Sequence, residues 1–278
     1  MLTKYISVYI QLLFLVAVFI INEVPAQFTR IVGGYPTTID QYPIIGQMLR
    51  QQDMWAGSLQ YAQHCAGVIV TSRHLISTAH CFQFDAISGR NYALPKYWKV
   101  RLGSSFRTGG GSLYNLKNII PHEGFNKSYY FNDIAVVVVD KPIKSNMNVK
   151  QSKIIQKGLS VKPYSGCVVA GWGAKEFNGA QPDQLHYTFV FIINRNTCVE
   201  RYKTKQAVID DGMICAGMMD VGGLDACVGD SGGPLIHKGI VIGLVSFGYS
   251  CGHNYYPGVY TNLAHYTDWI NKTTLAYK

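Results

Sequence analysis

The chain has 278 residues, a formal net charge of +9 at pH 7 and a hydrophobic fraction of 48%. A chain with this hydrophobic fraction can bury a core, so it is not a disordered tail. Its length suits one sizeable folded unit or two halves that share a core. No Lys/Arg block has the form of a nucleic-acid-binding arm, so we expect a soluble basic protein that binds no nucleic acid.

The N-terminal segment has the pattern of a secretory signal peptide. Lys4 provides a positive charge, residues 12–21 form an uninterrupted apolar run, and Val-Pro-Ala at residues 24–26 offers a cleavage point. A membrane anchor is the alternative, but the run is about half of the ~20 residues that a spanning helix needs. We therefore expect residues 1–26 to be removed, and the mature protein to be secreted, extracellular and free of the membrane.

After this segment, short apolar runs are separated by Gly, Pro, Asn and Asp turns, which is typical of an all-β fold. The clearest predicted strands cover residues 65–76, 134–139, 168–170 and 241–245. The second of these runs is apolar without a break, so we expect that strand to be buried on both faces. Only the C-terminal end has helical spacing, which predicts a helix over about 263–272.

The chain contains seven cysteines, and in an oxidising extracellular environment most of them should form disulfides. No two have the Cys-x-x-Cys spacing of a zinc or redox site, so we expect no metal centre and no cofactor. The odd number leaves one thiol over, and the sequence alone does not choose the pairing. The cysteines are Cys65, Cys81, Cys167, Cys198, Cys215, Cys227 and Cys251.

The strongest motif is Gly-Asp-Ser-Gly-Gly-Pro at residues 229–234. A serine hydroxyl becomes an effective nucleophile only when a base removes its proton and donors stabilise the oxyanion that forms. The glycines around Ser231 leave backbone N–H groups free to point at one spot beside the hydroxyl. An ordinary glycine-rich turn is the alternative, but chance is a poor explanation for six consecutive residues of this kind.

Two weaker motifs complete the pattern. Ser-Thr-Ala-His-Cys at residues 77–81 places His80 beside a cysteine, and Asn-Asp-Ile-Ala at residues 132–135 places Asp133 at the start of the apolar strand. Alone, such a histidine is more often structural, and such an aspartate is usually a turn residue. In the order His, Asp, Ser, however, the motifs resemble those of the chymotrypsin/trypsin family of serine proteases, over essentially all of residues 31–278.

The resemblance implies two packed antiparallel six-stranded β-barrels of the chymotrypsin type, followed by a short C-terminal helix. We place the first barrel at about residues 45–143 and the second at about 155–260, with the Lys-rich stretch 141–162 as the crossing between them. The active site would lie in the cleft between the barrels, with the histidine and the aspartate on the first barrel and the serine on the second.

The same resemblance implies the roles of the site residues. His80 is the general base and then the acid that protonates the leaving amine, and Asp133 orients its imidazole. Ser231 is the nucleophile, and the backbone N–H groups of Gly229 and Ser231 form the oxyanion hole. We expect a monomer that acts on protein or peptide substrates and binds proteinaceous inhibitors. A catalytically inactive homologue used for binding is the alternative, although such proteins usually lack one of the three residues.

The segment around Arg30 resembles the activation junction of these zymogens. Arg30 precedes Ile-Val-Gly-Gly at residues 31–34, so residues 27–30 would form a short activation peptide. Cleavage after Arg30 would free the Ile31 ammonium to pair with Asp230, and the pairing would offset the cost of burying the charge. The resulting movement would order the oxyanion hole, so the precursor would be inactive.

Asp225, six residues before Ser231, matches the family position at the floor of the primary specificity pocket. Gly248 and Gly258 match the two wall positions where the lack of a side chain lets a long residue enter. A carboxylate in a narrow, desolvated slot needs a cationic partner, so the resemblance implies cleavage after Arg and Lys.

Other substrate-binding positions follow the family in part. Tyr202 stands where trypsins carry a supporting tyrosine, and Ser246, Phe247 and Gly248 match the segment that pairs with the substrate backbone as an added strand. Phe247 replaces the usual tryptophan and Val228 replaces a common glutamine, which leaves the preferences for neighbouring substrate residues open. A digestive enzyme and a processing enzyme would share all of these residues.

The resemblance also implies a disulfide pattern. Cys167 matches a position of a fourth family bridge, but His237 stands where its partner would be, so we expect a free thiol or a bridge between molecules. The implied pairs are Cys65–Cys81, Cys198–Cys215 and Cys227–Cys251.

Two further segments refine the comparison with the family. Residues 220–223 and 239–248 look most like those of lepidopteran insect trypsins. The loop at residues 101–120 contains no Asp or Glu, whereas vertebrate trypsins bind calcium there through carboxylates. We therefore expect no calcium site.

Overall fold

The computed structural model describes residues 33–53 and 59–278, and the regular structure of this part of the chain is mostly β-strand. Its α-helices are α1 (Arg195–Lys203) and α2 (Leu263–Ala276). Short 3-10 helices cover Ala79–Phe82 and Pro95–Tyr97. The strands in chain order are β1 (Tyr35–Pro36), β2 (Ile45–Asp53), β3 (Leu59–Ile69), β4 (His74–Ser77), β5 (Phe84–Asp85), β6 (Arg90–Asn91), β7 (Trp98–Leu102), β8 (Ser112–Pro121), β9 (Ala135–Val139), β10 (Lys153–Ile154), β11 (Gly166–Gly171), β12 (His186–Ile192), β13 (Met213–Gly217), β14 (Pro234–His237), β15 (Ile240–Phe247) and β16 (Gly258–Asn262).

The first barrel closes in the order β2-β3-β4-β9-β8-β7, and its neighbouring strands are antiparallel. Burial alternates along β7, where Trp98, Val100 and Leu102 are buried while Lys99 and Arg101 are partly exposed. Because side chains alternate between the faces of a strand, one face of β7 lines the barrel core and the other approaches the surface.

Strand β9 is buried on both faces, as its continuous apolar sequence predicts. Its odd-numbered residues pack in the core of the first barrel, and its even-numbered residues pack with Leu235 and Leu244 of the second barrel. The strand therefore belongs to two cores, and it places Asp133, two residues before it, where the barrels meet.

The second barrel closes in the order β12-β11-β14-β15-β16-β13, with β13 pairing back onto β12. Strand β1 extends the sheet beside β12, and β10 runs parallel to β15. Helix α2 follows β16 and packs Leu263, Tyr266 and Ile270 into the same core. The expected fold of two antiparallel six-stranded barrels with a C-terminal helix is thus confirmed, and the helix extends beyond residue 272.

The single strand predicted at residues 65–76 is wrong. The chain turns between β3 and β4, where Thr71 Oγ1 accepts hydrogen bonds from the backbone amides of Arg73 and His74, both at 3.1 Å. A threonine hydroxyl that binds the backbone two residues later stabilises a turn inside an otherwise apolar run.

The expectation that only the C-terminal end is helical is also wrong, because α1 forms as well. The Asn194 side chain accepts hydrogen bonds from the backbone amides of Asn196 and Thr197 and so caps its first turn. The Cys198–Cys215 disulfide attaches the helix to β13. Helix α1 has hardly any apolar periodicity, which explains why the sequence pattern does not reveal it.

The disulfides of the structure are the three pairs that the resemblance implies. The remaining cysteine, Cys167, lies in β11, is free and is 2% exposed. Its side chain packs in the core of the second barrel, so a bridge to another molecule would require the barrel to open.

Hydrogen bonds within the chain hold the loop between β7 and β8. Arg101 Nη1 donates to the carbonyl oxygen of Arg107 at 2.6 Å and to Gln47 Oε1 at 3.2 Å. Ser104 Oγ lies within hydrogen-bond distance of the carbonyl oxygens of Phe106 and Gly109. These oxygens already have donors, and the guanidinium charge opposes a second cation, so the loop does not fit a calcium ion. The absence of a calcium site stays a prediction.

We predict that the Cys167 thiol is unreactive in the folded protein. Burial raises the pKa of this thiol to about 11, and only the thiolate reacts readily with a disulfide reagent. A chromogenic thiol titration should therefore detect no thiol in native buffer and one in guanidinium chloride. Rapid labelling of Cys167 in the native protein, or a dimer that dithiothreitol dissociates, would contradict this prediction.

We predict that Arg101→Met lowers the free energy of unfolding by about 1–3 kcal/mol, because the carbonyl of Arg107 and the buried Gln47 amide lose a donor. Urea denaturation measures the change. Lys99→Met, two residues earlier on β7, is the matched control and should change stability by less than about 0.5 kcal/mol.

EDTA should leave the midpoint of wild-type urea denaturation unchanged, because we expect no calcium site. A clear shift of the midpoint with the chelator would contradict the predicted absence of calcium.

Candidate active site

A cavity of about 230 Å³ is lined by side chains of both barrels. The first barrel contributes the segment around β4, and the second contributes the glycine-rich turn before β14 together with parts of β15 and β16. The structure thus brings distant parts of the chain to one cleft. The lining residues that the sequence singles out are His80, Asp225, Cys227, Val228, Ser231, Ser246, Phe247, Gly248, Cys251 and Gly258.

His80 lies in the 3-10 helix that follows β4, beside the Cys65–Cys81 disulfide. Both carboxylate oxygens of Asp133 contact it: Oδ1 accepts from the His80 backbone amide at 2.9 Å, and Oδ2 lies 2.8 Å from Nδ1. Because an ionised carboxylate can only accept, the geometry assigns the proton to Nδ1 and leaves the Nε2 lone pair available. His80 can therefore act as a base through Nε2.

Asp133 is 2% exposed, and side chains of the second barrel hold it. Ser246 Oγ donates to its Oδ2, and Thr261 Oγ1 donates to its backbone carbonyl, both at 2.6 Å. The orientation of the His80 imidazole therefore depends on how the second barrel docks against the first. The sequence predicts that Ser246 binds substrate, and no local pattern indicates its bond to Asp133.

Ser231 lies in the turn before β14, where backbone contacts fix the chain. Its carbonyl accepts from the amide of Ala66 at 2.7 Å, and Gly229 has a φ of +102°, which residues with a Cβ rarely adopt. Among the described residues, the amides of Gly229 and Ser231 donate no hydrogen bond. Both N–H groups are thus available to an oxyanion beside the serine.

Asp225 is the acidic residue of the cavity lining and is 3% exposed. Its Oδ1 accepts from the amide of Ala226 at 2.9 Å and its Oδ2 from the amide of Gly252 at 3.1 Å. Burial raises the pKa of this carboxyl to about 7, although the two hydrogen bonds oppose the shift. No cationic side chain in the described part of the chain pairs with it, so the carboxylate can receive a cationic ligand.

Gly248 and Gly258 keep the cavity open next to Asp225. A Cβ on Gly258 would lie 2.8 Å from Asp225 Oδ1, and one on Gly248 would lie 4.0 Å from the Gly258 Cα. Tyr260, two residues further along β16, is fully buried, and its hydroxyl has no hydrogen-bond partner among the described residues. Tyr260 is not among the predicted site residues, although the period of two along a strand places it on the same face as Gly258.

Tyr130 is another lining residue that the sequence analysis misses. Its ring centroid lies 5.6 Å from that of His80 and 5.0 Å from that of Phe247. Tyr202 packs behind Phe247 at 5.9 Å, and its hydroxyl donates to the Pro257 carbonyl at 2.7 Å. Aromatic side chains therefore form a wall of the cleft beside His80. Tyr130 has a φ of +57°, and no local sequence pattern indicates that its ring faces the cleft.

Asp230 is fully buried. Its Oδ1 accepts from the amide of Gly173 at 2.7 Å and its Oδ2 from the amide of Cys227 at 3.0 Å. Burial raises the pKa of this carboxyl to about 6. A Cβ on Gly173 would lie 2.2 Å from Oδ2, so only glycine fits there. The residues predicted to act in activation, Arg30 and Ile31, lie outside the described residues.

Among the described residues, Cys65, His80 and Cys81 form the one group of three potential metal ligands, but the two sulfur atoms are bonded to each other and are not thiolates. In residues 33–53 and 59–278, no helix combines the length and apolar character needed to cross a membrane.

The chain is similar in sequence to known proteins over most of its length. The family model described as Trypsin matches residues 31–270. "Trypsin, alkaline C" from Manduca sexta is 36% identical over 254 residues, which cover 91% of this chain and 94% of that protein. "Trypsin CFT-1" from Choristoneura fumiferana is 35% identical over 250 residues, which cover 90% of this chain and 93% of that protein. "Vitellin-degrading protease" from Bombyx mori is 34% identical over 243 residues, which cover 87% of this chain and 85% of that protein.

Proposed function

Because this chain belongs to the trypsin family of serine proteases, we propose that it is a secreted endopeptidase that cleaves peptide bonds on the carboxyl side of Arg and Lys. The resemblance to insect trypsins is confirmed, and the family makes the protein a hydrolase with protein substrates. The observation that carries the proposed specificity is the buried Asp225 carboxylate in the cleft that His80 and Ser231 line.

In the proposed mechanism, Ser231 Oγ attacks the carbonyl carbon of the scissile bond while His80 Nε2 takes its proton. The oxyanion that forms accepts hydrogen bonds from the amides of Gly229 and Ser231. Protonated His80 then donates its proton to the leaving amine, and an acyl-enzyme remains on Ser231. Asp133 holds the imidazole in the tautomer that presents Nε2 as the base.

The acyl-enzyme is then hydrolysed by the same groups in a second cycle. His80 removes a proton from water, the hydroxide attacks the ester carbonyl, and the oxyanion forms in the same hole. Collapse of this intermediate returns the proton to Ser231 and releases the new carboxylate end of the substrate.

Asp225 supports the choice of Arg and Lys by a charge argument. A guanidinium or ammonium in the cavity offsets the desolvation of the carboxylate, whereas a neutral side chain leaves it unpaired. Failure to pair a buried polar group costs a substrate several kcal/mol of transition-state binding. The absence of side chains at Gly248 and Gly258 supports the entry of a long residue.

We also propose activation by cleavage after Arg30. Asp230 is fully buried and accepts only backbone amide hydrogen bonds, and no cation in the described part of the chain pairs with it. The ammonium of a new N-terminus at Ile31 is a suitable partner for such a carboxylate. Residues 1–26 would be the signal peptide that leads to secretion, and the mature enzyme would be a monomer that proteinaceous inhibitors can block.

We predict that cleavage of the purified precursor after Arg30 produces an enzyme that hydrolyses Arg and Lys p-nitroanilides and that a serine-directed inhibitor blocks. Ser231→Ala should lose this activity, and Asp225→Ser should lose the basic preference while Ser231 stays reactive toward the inhibitor. The Phe p-nitroanilide is assayed beside the Arg and Lys substrates, and activity on the Phe substrate alone would refute the proposed specificity for Arg and Lys. A folded protein that is inactive on all three substrates would instead support an inactive binding homologue.

We predict that benzamidine binds more tightly as the pH rises toward about 7. The cation needs ionised Asp225, whose carboxyl has a pKa of about 7 in the empty cavity, so affinity should fall about tenfold per pH unit below that value. Calorimetry between pH 5 and 9 should show an affinity for benzamidine that is constant above about pH 7. Below that pH, binding of benzamidine should release a proton. Asp225→Asn should bind weakly and without this dependence, and a flat wild-type profile would contradict the assignment.

A further inference from the structure

The segment that carries the nucleophile is held by its carbonyl oxygens. The carbonyls of residues 227–231 all accept hydrogen bonds within the protein. Four of these carbonyls accept from backbone amides. Those of Cys227, Val228, Asp230 and Ser231 accept from the amides of Asp230, Ala174, Gly233 and Ala66, respectively. The carbonyl of Gly229 instead accepts from a side chain, the Nε2 of Gln63, at 2.7 Å. The contact to Gly229 is therefore the one in this set that depends on a side chain.

Gln63 reaches this carbonyl from β3 of the first barrel and is 5% exposed. Its Nε2 also donates to the carbonyl of Cys65 at 3.1 Å, and its Oε1 accepts from Gln181 Nε2 at 3.0 Å. The orientation of the Gln63 amide is settled by these partners, because the reverse orientation would place Oε1 against two carbonyl oxygens. Gln63 thus links Gln181 of the second barrel to Gly229.

Gln181 also packs directly on Gly229. A Cβ on Gly229 would lie only 1.9 Å from Gln181 Nε2, so the amide fills the space beside this glycine. The segment of Gln181 is held in turn by the first barrel: the amide of Arg107 donates to the Asp183 carbonyl at 2.6 Å, and that of Thr108 donates to Asp183 Oδ1 at 2.9 Å.

We propose that Gln63 and Gln181 are positioning residues for the oxyanion hole. A glycine at φ +102° has wide conformational freedom, so external contacts must fix the direction in which its N–H points. The N–H of Gly229 lies in the peptide that follows Val228, and the amide of Ala174 holds the carbonyl of that peptide at 2.8 Å. The bond from Gln63 fixes the next peptide, on the carboxyl side of Gly229. The packing of Gln181 blocks rotation on the open side of this glycine, so the two peptides that meet at Gly229 keep one relative orientation. Both act through Gly229 and touch no substrate. This inference rests on the proposed function of the site.

The test compares Gln63→Met and Gln181→Met with Gln184→Met in the activated enzyme. Methionine keeps the length of glutamine but removes its donors, and the Gln184 amide in the matched control binds the Thr37 carbonyl instead. Loss of a whole oxyanion-hole donor costs about 10²–10³ in kcat, so a misaligned donor should cost about tenfold. We expect kcat to fall about tenfold for Gln63→Met and less for Gln181→Met, with KM changed less than about twofold.

Two inhibitors separate positioning from a general loss of structure. A peptide aldehyde forms a hemiacetal when the Ser231 hydroxyl adds to its carbonyl, and the resulting oxygen needs the oxyanion hole. Its inhibition constant should rise by the same factor as kcat falls. Benzamidine occupies the cavity of Asp225 without using the hole, and its affinity should stay unchanged. The double variant should lose less kcat than the product of the two single losses, because Gln181 acts partly through its hydrogen bond to Gln63.

The proposal is overturned if kcat stays at the wild-type level, if benzamidine and aldehyde affinities fall together, or if Gln184→Met shows the same loss. Should Gln63→Met fail to fold, Gln181→Met alone decides by the same readouts. Ratios are taken on whichever anilide the wild type cleaves fastest, so a wrong primary specificity leaves the comparisons of kcat and of aldehyde inhibition intact. A wild type that cleaves none of them overturns both proposals.

Discussion

The hydrogen bonds of Asp133 connect the two barrels at the candidate active site. The carboxylate binds the backbone amide and Nδ1 of His80 on the first barrel and the Ser246 hydroxyl of the second, while Thr261 holds its carbonyl. Strand β9, which begins two residues later, packs in both barrel cores. The position of the histidine is therefore a consequence of barrel docking, and the apolar contacts that hold the barrels together also align the base.

Three aspartates are buried near the cleft, and their surroundings differ in ways that suit different tasks. Asp133 receives hydrogen bonds from an imidazole and a hydroxyl as well as a backbone amide, which makes it an orienting group. Asp225 and Asp230 each accept two backbone amides, and burial raises the pKa of both carboxyls. Each of these two would gain by binding a cation. In our proposals, the substrate supplies that cation to Asp225 and the new N-terminus supplies it to Asp230.

The glycine-rich turn is supported by both barrels in a similar way. Ala66 and Gln63 of the first barrel bind the carbonyls of Ser231 and Gly229, while the second barrel supplies the remaining backbone contacts. The loop between β7 and β8, which Arg101 holds from within, also docks on the segment that carries Gln181. Hydrogen bonds thus lead from a surface loop of the first barrel to the backbone of the candidate oxyanion hole. Within this loop, the positive charge is that of the Arg101 guanidinium.

The sequence by itself determined the fold class and indicated the main candidate site residues. Apolar runs and turn residues indicate strands, the continuous run of β9 predicts burial on both faces, and the motifs around His80, Asp133 and Ser231 are local strings. Only the tertiary structure revealed the hydrogen bonds of Ser246 to Asp133 and of Gln63 to Gly229, which join residues 113 and 166 positions apart. Local periodicity carries no information about such contacts, because they exist only once two separately closed barrels have packed against each other. The capped helix α1 escaped prediction for a related reason: a side-chain cap and a disulfide hold it, rather than an apolar face.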